Sequence, residues 1–258
     1  LGMIVAGTSI AMILGLPFGR MIGLAVGWRA TFVGVGAFGF TVMAYLLFVT
    51  PRLSGGQSFS VKRLPELFKT PALAGIFALT LTTAGAYYTA YSYIEPFLLQ
   101  TAQLPDGTVT AVLSVFGASG LIGSKLFSKY YDKAPRLFLK STVFTIAAAL
   151  LSLYPASAGL PSVVLLFVLW GTAATAFNAA CQARIIQETD ESASAVAMSI
   201  FSGIFNMGIA AGTMFGGAVC TRYALSWVGV AGALVILPAV AFLLFAGMKR
   251  KRGLQPQS

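Results

Sequence analysis

Gly7-Thr-Ser-Ile-Ala-Met-Ile-Leu-Gly15-Leu-Pro17-Phe-Gly19-Arg20-Met-Ile-Gly23-Leu-Ala-Val-Gly27-Trp28 decides the reading of this chain. The stretch is apolar over about the 20 residues a helix needs to cross a bilayer. Glycines at 15, 19, 23 and 27 recur every four residues, so on a helix they form one slowly drifting stripe. A stripe without side chains admits another backbone at close range. Pro17 and Arg20 lie inside it, and each is costly in lipid unless the protein uses it.

The whole chain has the same character. Of its 258 residues, 57% are hydrophobic and 9% charged, with a mean hydropathy of +0.85. Soluble domains carry about 25% charged residues, so the chain reads as an all-α polytopic membrane protein. Its runs are continuous, which excludes a strand barrel with its alternating pattern. The net charge of +10 does not imply nucleic acid, because the basic residues sit in short segments between apolar runs. There is no histidine, and Cys181 and Cys220 lie inside apolar runs without ligand spacing. No metal site and no cofactor are implied. Paired mid-span acids, a nucleophile elbow and a Gly-x-x-x-x-Gly-Lys loop are also missing, so neither an enzyme nor an ATP-driven pump is expected.

Eight spans are expected, near 3–25, 30–50, 72–94, 108–128, 137–155, 162–182, 194–219 and 225–247. The longest polar connection runs from Pro51 to Pro71. Its Leu64-Pro-Glu-Leu-Phe-Lys69 part is either a short interfacial helix or solvated linker. With Leu1 on the cytoplasmic side, 14 of the 17 basic residues fall in cytoplasmic segments. The tail Lys249-Arg-Lys-Arg252 then serves as a stop signal; it also suits anionic lipid, although the topology role is enough.

The seventh expected span echoes the first. Gly15/Gly212, Phe18/Phe215 and Gly19/Gly216 keep one offset, and Trp28 and Trp227 follow two residues out of step. A same-direction repeat six spans apart is what two fused six-span halves give. The chain is then expected to hold the last two helices of one half (1–50), a central cytoplasmic loop (51–71), a complete six-helix half (72–248) and a basic tail (249–258). The run of apolar residues at Leu1 fits a longer protein with about four further spans before it.

Three places resemble the major facilitator superfamily, in particular the bacterial drug and sugar efflux proton antiporters. Gly15-Leu-Pro17-Phe-Gly19 looks like the glycine-x-proline core of the antiporter motif in the fifth helix. Ser128-Lys-Tyr-Tyr-Asp132-Lys133-Ala-Pro-Arg136 resembles the second-half copy of the superfamily's loop motif, departing at Ser128 and Pro135, so that only Asp132, Lys133 and Arg136 carry over. Ala86-Tyr-Tyr-Thr-Ala-Tyr-Ser-Tyr-Ile-Glu-Pro-Phe97 looks like the seventh helix of the arabinose and isopropyl-thiogalactoside efflux transporters. The resemblance implies a multi-pass protein of the bacterial inner membrane with a cytoplasmic C-terminus, monomeric when full length. It would export a small sugar-like solute against protons by alternating access. Multidrug efflux is the alternative within the class; a truncated, non-transporting membrane protein or scaffold is the alternative outside it.

Each candidate residue has a plainer role beside its functional one. Gly15, Pro17, Gly19, Arg20, Gly23, Gly212 and Gly216 suit a pivot or seal between halves, or ordinary helix packing. Tyr88, Tyr91 and Glu95 fall at i, i+3 and i+7, hence on one helix face. Tyrosine offers a ring and a hydroxyl to a sugar, but also suits an interfacial belt. Glu95 is the candidate proton-coupling acid. Asn178 and Gln182, one turn apart, and Asn206, near mid-span, bind either a ligand or a neighbouring helix. Asp132, Lys133 and Arg136 form either a cytoplasmic gate, with Glu188, Asp190 and Glu191 near Arg184 as partners, or a solvated loop.

Overall fold

Proline opens three of the long helices: Pro71 and Pro135 are first residues and Pro161 is a second residue. There the missing N–H costs nothing and the fixed φ already suits a helix. The structure, a computed structural model, describes residue 15 and residues 18–50 and 64–251. Every element among them is helical. The chain divides into two units, Leu1–Ser58 and Phe59–Ser258.

In the first unit, helix α1 covers residues 18–26 and α2 spans Trp28–Val49. Gly27 separates them at φ +99°, a left-handed conformation that favours glycine. The Thr31 hydroxyl donates to the Gly19 carbonyl at 3.2 Å and ties the start of α2 back to α1. The Arg29 guanidinium lies 4.6 Å over the Trp28 ring. No residue of α2 is buried.

The second unit begins with α3 (Leu64–Lys69), so the expected interfacial segment is helical. Then follow α4 (Pro71–Tyr91), the single turn α5 (Ile94–Pro96) with a π-helical turn at Phe97–Thr101, and α6 (Asp106–Tyr130). Next come α7 (Pro135–Leu151), the short α8 (Leu153–Ala156) and α9 (Leu160–Glu188). The last are α10 (Glu191–Arg222), a 3-10 turn at Leu225–Trp227, and α11 (Val228–Lys251). Asp190 caps α10, its Oδ1 accepting from the Ala193 N–H at 2.9 Å. The closest neighbours are α4 with α10 and α6 with α9. Helix α11 packs on α4 and α7, and α7 on α9. One core runs through the unit, with Trp170, Phe97, Phe167, Leu73 and Leu98 among its fully buried side chains.

Two expected spans are interrupted, and proline explains both. A proline ring clashes with the carbonyl four residues earlier. Pro96 therefore acts on Ser92, and the expected 72–94 helix stops at Tyr91. Pro155 acts on Leu151, and the expected 137–155 helix stops there before resuming as α8. Five described helices are long and apolar enough to cross a membrane: Trp28–Val49, Asp106–Tyr130, Leu160–Glu188, Ala193–Arg222 and Leu225–Leu244. Helix α7 has only 17 residues, and α4 has its 21 diluted by threonines and tyrosines.

Trp28 opens α2 and Trp227 stands directly before α11. Both tryptophans of the sequence echo thus mark a junction between consecutive helices.

Candidate functional site

Glycine makes the site's frame. Helix α10 presents Gly208, Gly212 and Gly216 to α4, four residues apart. A Cβ at Gly208 would lie 2.7 Å from the Ala84 Cβ and 3.1 Å from the Gly85 N. At Gly212 it would land on the Gly85 carbonyl, and at Gly216 on the Thr89 carbonyl. The two backbones therefore touch along three turns. Helices α6 and α9 form a second seam through Gly120, Gly123 and Gly171, where the Thr172 hydroxyl also donates to the Ser119 carbonyl at 3.2 Å.

Between these seams lies a cluster of rings. Tyr87, Tyr88 and Tyr91 come from α4, Phe116 from α6, Phe167 and Trp170 from α9, and Phe205 from α10. Tyr91 stacks on Phe116 with centroids 5.4 Å apart. Tyr87 lies 5.2 Å from Trp170, and Tyr88 meets Phe205 edge-on at 6.1 Å. Tyr88 and Tyr91 are 5.7 Å apart and half-buried, so the structure brings these two predicted residues together at the edge of the cluster.

Two donors in this region lack a protein partner. The Trp170 Nε1 and the Thr83 Oγ1 are both buried and without a hydrogen bond. Thr83 precedes Tyr87 by one turn, so both lie on one side of α4. Buried polar groups are normally satisfied. An indole N–H and a hydroxyl left open suit a water or a ligand hydroxyl.

The other predicted residues are dispersed. The Gln182 side-chain amide donates to the Asn178 Oδ1, so this pair satisfies itself along α9. Asn206 is exposed and donates to the Ser202 carbonyl at 2.8 Å. It lies to one side of the face through which Gly208, Gly212 and Gly216 meet α4. Glu95 is half-buried but sits beyond the Ser92–Tyr93 break. The i, i+7 register that put it on the face of Tyr88 assumed an unbroken helix; Pro96 removes that register.

Tyr93 is no belt residue. Its hydroxyl donates to the Thr213 carbonyl at 2.8 Å, and its ring covers Gly216 and Gly217. The Ser92 and Thr213 hydroxyls share a hydrogen bond of 2.7 Å beside it.

In the first unit, Gly15 has open space where a side chain would be, while Gly19 and Gly23 make ordinary contacts with Thr31 at 3.6 and 3.7 Å. Arg20 is half-buried. Pro17 lies outside the described residues.

At the α6–α7 connection, Asp132, Lys133 and Arg136 are all exposed. Arg184 pairs with Glu188 of its own helix at 2.5 Å, and no ion pair joins either residue to that loop among the described residues. Tyr131 beside Asp132 is buried against Phe127 and Phe138. Burial pushes its phenol up from the ordinary value, while the nearby Arg184 guanidinium pulls it back.

Trp170, Phe116 and Gly208 were missed in the sequence. The available signals were a tryptophan in the middle of an apolar run rather than at its end, and a third glycine in register with Gly212 and Gly216.

Comparison with known proteins matches this architecture. A probable sugar efflux transporter of Pasteurella multocida (strain Pm70) is 40% identical over 245 residues, covering 95% of this chain and 60% of that protein. Another of the same name, from Mannheimia succiniciproducens, is 39% identical over 245 residues, covering 95% and 61%. The chain thus spans about three-fifths of the length of these relatives. The crystal structure of a bacterial homologue of the human lysosomal transporter Spinster, inward-facing and unoccupied, shares the fold. It aligns with a TM-score of 0.64 at 18% identity, over 99% of this chain and 71% of that one. The sequence profile of the Major Facilitator Superfamily matches residues 1–176. With the all-helical fold, glycine-packed seams and membrane-length helices, this shows that the chain belongs to the Major Facilitator Superfamily.

Proposed function

We propose that this chain is the later part of a secondary transporter of the bacterial inner membrane that exports a small sugar-like solute in exchange for protons. In this reading residues 1–50 end one half, 51–71 form the central loop, and 72–248 make the complete second half. The observation that carries it is the ring cluster with its open donors. Aromatic faces pack against the C–H faces of a sugar, and the Trp170 N–H, Thr83 hydroxyl and tyrosine hydroxyls meet its oxygens. The names of the two relatives support the same substrate class.

The remaining residues take roles around that cluster. Tyr88 and Tyr91 contact solute. Asn178, Gln182 and Asn206 are secondary contacts, free to exchange their intrahelical bonds for ligand hydroxyls. Glu95 exchanges the proton near the outer end of α4. The glycines of α1 and α10 keep helices close while the halves rock, and Asp132, Lys133 and Arg136 close the cytoplasmic side.

Proteoliposomes holding a full-length protein that carries this chain test the reading. Flux of arabinose or a thiogalactoside should rise with an imposed proton gradient and collapse when the gradient is dissipated. Equal flux with and without the gradient would remove proton coupling, and no flux of either solute would remove the substrate class.

A further inference from the structure

Five cations crowd one hairpin of the second unit. Lys125 and Lys129 lie in the last turns of α6, Lys133 in the connection, and Arg136 and Lys140 in the first turns of α7. Against them stands one acid, Asp132. Lys125 and Lys129 lie one turn apart on α6, and Lys133 follows in the turn directly after it. No ion pair involves any of the five cations among the described residues. The ammoniums of Lys129 and Lys133 both converge on the ring of Tyr130, at 5.3 and 5.7 Å from its centroid. That ring is 43% exposed.

Length places this group at the membrane boundary. The 25 residues of α6 rise about 37 Å, more than the ~30 Å of the hydrocarbon core. With Asp106 at one surface, the last turn and a half of α6 emerges among headgroups at the other. Tyr130 is then the kind of amphipathic ring that settles at this level. A topology signal needs only a count of charges in the right segment. It does not need two ammoniums gathered on one exposed ring with further cations on both sides. That arrangement fits a phosphodiester.

We propose that the α6–α7 hairpin binds the headgroup of an anionic phospholipid. The lysines and Arg136 contact the phosphate and the Tyr130 ring rests against the glycerol and upper acyl region. This is independent of the solute carried. A lipid held there is tethered to the connection that contains Asp132, so membrane composition bears on how readily that loop moves.

The test uses a full-length protein that carries this chain, purified in detergent and titrated with dioleoylphosphatidylglycerol or dioleoylphosphatidylcholine, with bound lipid counted by native mass spectrometry. Wild type should retain the glycerol lipid in preference to the choline lipid. Lys125→Gln/Lys129→Gln/Lys140→Gln should weaken phosphatidylglycerol binding about tenfold. Lys249→Gln/Arg250→Gln/Lys251→Gln removes the same charge from the tail and should change it less than about twofold. Lys129→Gln alone should act in the same direction at smaller size, which keeps the test open if the triple variant does not fold. Equal losses from hairpin and tail overturn the proposal, as does equal retention of the two lipids. Displacement of bound lipid by millimolar inorganic phosphate also overturns it, by assigning the cations to free phosphate.

Discussion

The Tyr93 hydroxyl, just past the end of α4, donates to the Thr213 carbonyl of α10 at 2.8 Å, beside the seam where Gly212 and Gly216 meet α4. Tyr93→Phe removes this bond and keeps the ring over Gly216. An interhelical hydrogen bond in a membrane protein is worth about 0.6 kcal/mol on average. A small fall in the midpoint of thermal unfolding in detergent is expected. Thr213→Ala leaves the acceptor carbonyl in place and removes only the bond to Ser92, so the departure of the double variant from the sum of the two losses measures the coupling between these neighbouring bonds.

Gly212→Ala should damage the protein far more. Its methyl would fall on the Gly85 carbonyl, and neither backbone can step aside without opening the seam. Overpacking of this kind costs about 1–3 kcal/mol. Gly203, on the same helix, has nothing within 4 Å of its would-be Cβ. Gly203→Ala should therefore be neutral or stabilising by up to about 1 kcal/mol through helix propensity. Thermal unfolding of the two variants side by side measures the contrast; similar midpoints would mean the seam is looser than described.

Trp170→Phe separates stability from binding. The variant keeps a ring in the cluster and deletes a buried donor that has no protein partner. Losing the unpaired donor offsets part of the cavity left by the smaller ring, so the unfolding midpoint should fall only slightly. If the N–H meets a solute hydroxyl, the KM for transport rises about tenfold, equivalent to ~1.4 kcal/mol. An unchanged KM would make Trp170 a packing residue only.

Glu95→Gln tests coupling. Gradient-driven flux should fall to the level of passive exchange, while exchange of solute at equal pH continues. Intact gradient dependence in the variant would return Glu95 to a structural part at the end of α4.

Sequence reading reached the helices and the glycine register because both depend on local spacing. The four-residue spacing of Gly212 and Gly216 marks a face for close packing, but the fold alone sets α4 as its partner. The breaks at Ser92 and Leu151 follow from Pro96 and Pro155, but the apolar runs continue through both positions and mask them. Tyr93 is illegible for a different reason. Its position near a helix end suits a belt, and only the vacant surface of Gly216 and Gly217 on a helix 120 residues away turns it inward. Trp170 and Asn206 show the same limit: which face of a helix is inside depends on its neighbours, and α9 and α10 carry weak hydrophobic asymmetry to announce it.

The α4–α10 seam has a consequence for how motion in this unit can be observed. Where backbone meets backbone at Gly212 there are no rotamers to exchange, so the seam has few of the alternative packings through which helices usually slide past each other. Spin labels placed on the outer faces of α4 and α10 should then report one narrow distance distribution with and without solute. A label pair bridging α4 and α6, which face each other through rings, is the place to look for a second peak.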